Sequence, residues 1–304
     1  MNRMKRISLV LCIPLLLLVP PSPPLYTIHQ ISLPPEMNKQ VCISGMKYLN
    51  GKLYLASERC PLLVAADPAT GAILQSLPLQ VPHEFEMEGL TSYGDKLFFV
   101  SENIAAVYEA DPASGVLREI STSIPLPGKT KDGDGMEGIA ANEKHRKFYL
   151  LRERTPDKTK SELYTFHLDP SRAGTAPALV YESVISLPLQ NAQWRYSDIC
   201  FDAENNRLLC LKSYSKGKQR LQYLEAMAVD AEGKLLPASL TNIPVEKFSE
   251  ISNDYKDQDY SLNLEGITLD EKGNIFVVSD NTSGKAQCDR PAKEKTILLE
   301  LKKQ

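Results

Sequence analysis

The 304-residue sequence has a net charge of −3 and no basic stripe, so it lacks the electrostatic footprint of a nucleic-acid binder. Its histidines are few and scattered (His29, His83, His145 and His167), and its six cysteines show no paired metal-ligand spacing. A zinc centre is thereby excluded. No Gly-x-Ser-x-Gly elbow and no phosphate-cradling glycine loop occurs, so triad chemistry has no support. The 3.6-residue apolar periodicity of helical repeats is also absent, which excludes a helical solenoid.

Long apolar runs are missing too, apart from Ile7 to Val19, which follows Arg3, Lys5 and Arg6 and precedes Pro20 to Pro24. A basic start followed by an apolar stretch too short to span comfortably reads as a secretory signal over residues 1–24. Residues 25–304 then form one domain, exported to the periplasm or the medium. No Ala-x-Ala site follows, so the alternative is an uncleaved anchor, which would be the only membrane contact.

An exported chain permits disulfides. Cys42 and Cys60 flank one hairpin, Cys200 and Cys210 another, and Cys288 lies in a late loop. Cys42–Cys60 and Cys60–Cys288 compete. Cys200 and Cys210 are either bonded or buried thiols, and Cys12 belongs to the signal.

What is present is a repeat. Five segments share a short apolar run, a polar turn and a second β-rich run: they open at Ser44-Gly45-Met46, Glu88-Gly89-Leu90, Glu137-Gly138-Ile139, Ser197-Asp198-Ile199 and Glu265-Gly266-Ile267. The recurrent position falls at 45, 89, 138, 198 and 266, giving intervals of 44, 49, 60 and 68 residues. Strand-built repeats near that length are propeller blades. Two further β-rich runs follow most hairpins. The expectation is therefore an all-β fold: a single β-propeller of five four-stranded blades, six if Leu224-Glu225-Ala226-Met227 opens another. In blade four, 220–230 and 235–245 are read as the outer strands. The fifth copy has one strand too few, and the N-terminal strand within Leu25 to Leu33 supplies it by pairing with Thr296 to Leu301, which closes the ring.

A propeller gathers distant residues at its channel mouth. The inner-strand starts bring Ser44, Glu88, Glu137, Ser197 and Glu265 to one level. The second-strand ends add Glu58, Glu102, Glu153 and Asp280, and entry loops add Glu84, Glu86, Asp132, Asp134, Asp257 and Asp259. Converging carboxylates must take up protons, pair with bases or bind a cation. An oxygen-only set suits calcium, with Glu88, Glu137, Glu265, Ser44 and Ser197 as ligands. Each Glu-Gly pair also has a structural explanation, with glycine allowing close approach at a crowded axis. Arg59, Arg152, Arg154, Arg195, Lys212 and Arg220 are interleaved with the acids and either neutralise them or hold an anionic group. The opposite face, made of short turns, offers little enclosure.

At these residues the chain resembles the phytase-like esterase family, exported bacterial propellers described by "esterase-like activity of phytase". The likeness runs through Leu53-Tyr54-Leu55-Ala56-Ser57-Glu58-Arg59, Met87-Glu88-Gly89-Leu90, Met136-Glu137-Gly138-Ile139 and Asn263-Leu264-Glu265-Gly266-Ile267 with Val278-Ser279-Asp280. A related set of bacterial membrane-anchored, calcium-binding propellers shares the Glu-Gly hairpins. The resemblance implies a hydrolase of phosphoesters or other esters, and the acid ring joined to it gives a calcium-dependent one. Glu137, Glu88 and Glu265 are then the catalytic candidates, and Arg59, Arg152, Arg195, Glu102, Glu153 and Asp280 the substrate-binding ones. Its partner would be a small anionic ester, and the chain a monomer. Lys212-Ser213 departs from the family's Glu-Arg pair. The competing reading is a non-catalytic, calcium-stabilised propeller that binds a ligand or partner protein at the cell envelope.

Overall fold

The computed structural model describes residues 26–39, 42–81, 85–131, 134–170, 177–217, 219–255, 258–281, 292 and 294–304. The signal segment, His83, Glu84, Asp132, Asp257 and Cys288 lie outside them. Strands dominate, and no described helix is long and apolar enough to cross a membrane.

After β1 (Tyr26–Ile31), the strands β2 (Ile43–Leu49), β3 (Lys52–Ser57), β4 (Leu62–Ala66) and β5 (Ile73–Pro78) pair in order as an antiparallel meander. The order recurs in β6 (Met87–Tyr93), β7 (Lys96–Ser101), β8 (Ala106–Ala110) and β9 (Leu117–Thr122). It recurs again in β10 (Met136–Asn142), β11 (Lys147–Arg152), β12 (Lys160–Asp169) and β13 (Ala178–Pro188). A further set is β14 (Trp194–Asp202), β15 (Arg207–Lys216), β16 (Gln219–Ala228) and β17 (Thr241–Asn242). The last strands are β18 (Asn263–Leu269), β19 (Ile275–Asp280) and β20 (Leu298–Lys303), and β1 pairs with β20 from Tyr26↔Lys303 to Ile31↔Leu298. Both ends of the described chain thus share one sheet.

Local chemistry explains the turns. Asn50 and Gly51 take φ of 51° and 76° between Leu49 and Lys52, the backbone that a two-residue hairpin of right-handed twist requires. The Asp-Pro-Ala-Thr/Ser-Gly stretches at 67–71 and 111–115 join third to fourth strands. There Asp67 Oδ1 accepts from the Ala69 and Thr70 N–H groups, and Asp111 Oδ1 from those of Ala113 and Ser114, as Asx turns do.

The strand pairing bears on three of these readings. The described sheets number four, because β13 also pairs in parallel with β9 through Ala178↔Ser121 and Leu179↔Thr122, giving one eight-stranded sheet. Two outer edges otherwise left unpaired meet there. The outer strand expected over 235–245 shrinks to β17, since Pro237 and Pro244 lack the N–H that a ladder needs. Leu224–Met227 opens no new repeat: it lies inside β16, bonded to β15.

The core is divided into wedges. Five apolar clusters lie between consecutive meanders, such as Leu55, Val64, Val278 and Leu298 between first and last, or Tyr149, Leu163, Ile199 and Leu208 between third and fourth. The inner strands touch in a closed cycle, β2 to β6, β10, β14, β18 and back to β2. Cys60 is disulfide-bonded. Cys42, Cys200 and Cys210 are buried free thiols, so of the two competing pairings Cys42–Cys60 is not formed, and the partner of Cys60 lies outside the described residues.

Candidate functional site

Every inner strand carries a β-bulge near its start, on the recurrent dipeptide. The register slips between Ile43 and Gly45, Met87 and Leu90, Met136 and Gly138, Tyr196 and Asp198, and Leu264 and Gly266. The extra residue is Ser44, Glu88 with Gly89, Glu137, Ser197 or Glu265. A bulge breaks the strict alternation of side chains and re-aims one of them, which delivers three carboxyl groups to one mouth. The glycines serve the approach of neighbouring strands: a Cβ on Gly45 would stand 2.4 Å from the Glu88 carbonyl oxygen, and one on Gly89 2.7 Å from that of Glu137.

The bulge serines fasten strand to strand. Ser44 Oγ donates to the Met87 carbonyl (2.5 Å) and Ser197 Oγ to the Leu264 carbonyl (2.9 Å). Asp198 stands where the other copies have glycine. It is fully buried, its Oδ2 accepts from Ile267 N–H (2.9 Å), and burial raises its carboxyl well above the usual range.

The second-strand ends Glu58, Glu102, Glu153 and Asp280 are all buried. Glu102 Oε1 accepts from Gly135 N–H (2.9 Å) and its Oε2 pairs with Lys129. Arg195 is the central cation: Nη1 meets Glu153 Oε1 at 2.5 Å, Nη2 meets Glu265 Oε1 at 2.9 Å and also Asn263, and Nε donates to Ser213 Oγ (3.1 Å). Arg154 joins Asp134 (2.5 Å) to Glu153 (3.4 Å), and Arg59 joins Glu58 (2.7 Å) to Glu86 (3.4 Å).

These cations do not neutralise the mouth. Burial, then repulsion from Glu58 and Glu265, pushes Glu88 well above the usual carboxylate range, and burial with Glu88 and Glu153 does the same to Glu137. Glu265 is raised by burial and Asp280 despite Arg195, and Glu58 is raised to about 7 by burial and Asp280 despite Arg59. Burial also raises Glu153 against its arginines. Asp134 behaves oppositely: burial works against it, but hydrogen bonds from Glu153 and Arg154 hold its carboxyl below the usual range. Among the described residues, neither Glu88 nor Glu137 has a side-chain hydrogen bond or ion pair.

Most of the expected residues are thus gathered. Among the described residues the metal-compatible group is Glu58, Glu86 and Glu88, each offering an oxygen within 4.8 Å of the others. Glu137 and Glu265 are not in that trio, and one oxygen of Glu265 is held by Arg195 and Asn263. Arg152 turns to Glu162 (3.4 Å) and to the Asp134 carbonyl (3.1 Å). Lys212 pairs with Glu225 (3.0 Å) over the rings of Trp194 and Tyr196, and Arg220 donates to the Gly217 and Gln219 carbonyls. Lys129 and Asn263 are additions that the sequence did not single out as site residues. Lys129 comes from a loop without repeat counterpart, whereas Asn263 stands two residues before Glu265 and could have been read as its partner.

The turn face carries two half-open clefts of ≈ 350 and ≈ 440 Å³; Phe201 lines both, and Leu49 and Leu269 line the first.

An all-β, propeller-like protein with a carboxylate-lined mouth is the class that fold and site define. Residues 80–282 match the family described as "Phytase-like: Esterase-like activity of phytase", and the chain belongs to that family. No curated protein matches it. Among solved structures it is similar to Myxococcus xanthus glutaminyl cyclase, at 13% identity and a TM-score of 0.49 over 91% of this chain and 97% of that one. It is likewise similar to the PQQ-bound aldose sugar dehydrogenase of Streptomyces coelicolor, at 11% identity and 0.47 over 92% and 100%.

Proposed function

We propose that this phytase-like protein is an exported, monomeric, five-bladed propeller that hydrolyses phosphoesters or other small anionic esters at its acidic mouth with the help of calcium. The count of five takes each inner strand as one blade and the eight-stranded sheet as two. The observation that carries the reading is the convergence of Glu58, Glu88, Glu137 and Glu265, whose carboxyl groups are all held above their ordinary range.

Carboxyl groups in that condition favour either protons or a cation. The oxygen-only trio Glu58, Glu86 and Glu88 fits a hard divalent ion in donor chemistry and spacing. When bound, such an ion supplies positive charge that polarises an ester or phosphoryl oxygen. Glu137, raised and without a hydrogen-bond partner among the described residues, is suited to exchange a proton with water or the leaving group. Arg59, with 40% of its side chain exposed, meets the anionic part of the substrate at the rim. Arg195 positions Glu153 and Glu265.

The test is hydrolysis of p-nitrophenyl phosphate, phytate and p-nitrophenyl acetate, with calcium and with chelator. Glu137→Gln should lower turnover by about 10²-fold or more without lowering the melting temperature, whereas Asp95→Asn on the turn face should leave turnover intact. Equal rates for the two variants would remove this mouth from the chemistry. A second reading, a ligand- or protein-binding propeller without catalysis, is favoured by blade four: Ser213 stands where other copies end in an acid, and it holds Arg195. Tight substrate binding with no turnover by the wild-type protein would select it.

A further inference from the structure

The turn face holds a lysine whose ammonium has no protein partner among the described residues. Lys47, three residues past the first bulge on β2, lines both cavities of that face, and the two share Lys47, Ser92, Phe201, Ala203 and Glu204. They are two lobes around one lysine. Their volumes, ≈ 350 and ≈ 440 Å³, suit a small organic molecule.

Among the described residues the Lys47 side chain has no hydrogen bond and no ion pair. The acids around it are engaged elsewhere. Glu143 accepts from Gly94 N–H (2.9 Å), Asp202 pairs with Arg207 (2.8 Å), and Asp270 caps its own turn. Glu271 accepts from the Tyr48 hydroxyl, and Glu204 lies at the exposed rim near Lys303 (3.9 Å). The neighbouring Cys200 is a thiol raised by burial, hence uncharged. Burial lowers the Lys47 ammonium below the usual lysine range, and the Glu143 carboxylate offsets this only in part. Lys47 is half-buried and lines both clefts, so its ammonium keeps contact with solvent there and can exchange that water for an anionic acceptor.

We propose that this face is a second ligand site that takes a small organic anion, its charged end on Lys47 and its apolar body against Leu49, Phe201 and Leu269. The acidic rim selects against multiply charged anions, and the apolar wall favours a hydrocarbon or aromatic body. The site lies at the opposite mouth from the carboxyl ring, so its fate is independent of the hydrolase reading.

The experiment is calorimetric titration of the full chain with benzoate and with inorganic phosphate at neutral pH. Benzoate should bind more tightly than phosphate. Lys47→Met should weaken benzoate by about tenfold or more, and Lys47→Arg should retain it within a few-fold. Lys47→Gln replaces the first variant if that one does not fold. Ester hydrolysis, where present, should be unchanged in each. Absence of benzoate binding by the wild-type protein, equal affinity in Lys47→Met, or tighter binding of phosphate would each overturn the proposal.

Discussion

Glu58 shows how burial turns a side chain into a reporter. Its carboxyl titrates at about 7 because it is buried, and Asp280 reinforces the shift more than Arg59 relieves it. The sign follows from linkage: the folded form holds a proton that the unfolded chain releases near the ordinary value of about 4.3. The stabilisation is therefore complete below about 4.3 and is lost as pH rises towards 7, on the order of 3 kcal/mol for this group alone. Glu88, Glu137 and Glu265 act in the same direction. In chelator the protein should melt several degrees lower at pH 8 than at pH 5.5, and calcium should raise the pH 8 melt more than the pH 5.5 melt. Scanning calorimetry at the two pH values checks this, and a chelated melt independent of pH would mean that the acids are already compensated. The acid ring was legible in the sequence because the same residue type recurs at corresponding points of a repeat. Lys129 and the isolation of Lys47 were not, since no repeat announces a loop cation and no pattern reveals a missing partner.

At the scale of the element, the bulge decides where chemistry sits. The sequence displays Glu-Gly at three inner-strand starts and suggests tight packing there, but it does not reveal that the glutamate is an extra residue in the ladder. That property depends on register across two strands, seen only when Met136 is found opposite Arg152 and Gly138 opposite Leu151. The shrunken β17 is legible in principle through Pro237 and Pro244, which the β-rich composition of 235–245 masks. Gly89 tests the bulge directly. A Cβ there would lie 2.7 Å from both the Glu137 carbonyl oxygen and the Gly138 Cα, and backbone cannot yield as a flexible side chain can. Gly89→Ala should cost about 1–3 kcal/mol or more through overpacking and should displace Glu137, impairing any hydrolysis beyond the loss of stability. Gly94→Ala meets nothing within 4 Å and strains only its φ of 60°, for about 1–2 kcal/mol. A Gly89→Ala melting temperature equal to that of the wild-type protein would show that the inner strands can separate without penalty.

At the scale of the whole molecule, the question is what keeps a ring of wedges shut. Among the described residues each apolar cluster joins only neighbouring meanders, and none of them forms a central core that compensates if one junction opens. The last sheet is completed by the chain's first described strand, with Tyr26 and Ile31 buried and β1 bonded to β20 along its length. This closure was legible because the fifth repeat lacked a strand and an orphan strand stood at the other end. The β9–β13 junction was not, since outer-edge contacts depend on strand length and curvature rather than on any motif. Tyr26 also packs in the cluster that holds Leu211, Leu224 and Ile297, so β1 ties the end of the chain to the fourth meander as well as to its own sheet. Deleting 1–31 should therefore remove an edge strand and part of an apolar wedge together. The exposed β20 edge then presents unpaired N–H and C=O groups, which favours intermolecular pairing. We expect the truncated protein to melt well below the intact domain and to associate in a concentration-dependent way during size-exclusion chromatography. Tyr26→Ser, which keeps the ladder but loses the ring's packing, should lower the melt by a smaller amount and remain monomeric. A truncated chain that melts as high as the intact one and elutes as a monomer would show that the closed cycle of inner strands suffices, and that β1 is an accessory to the ring rather than its clasp.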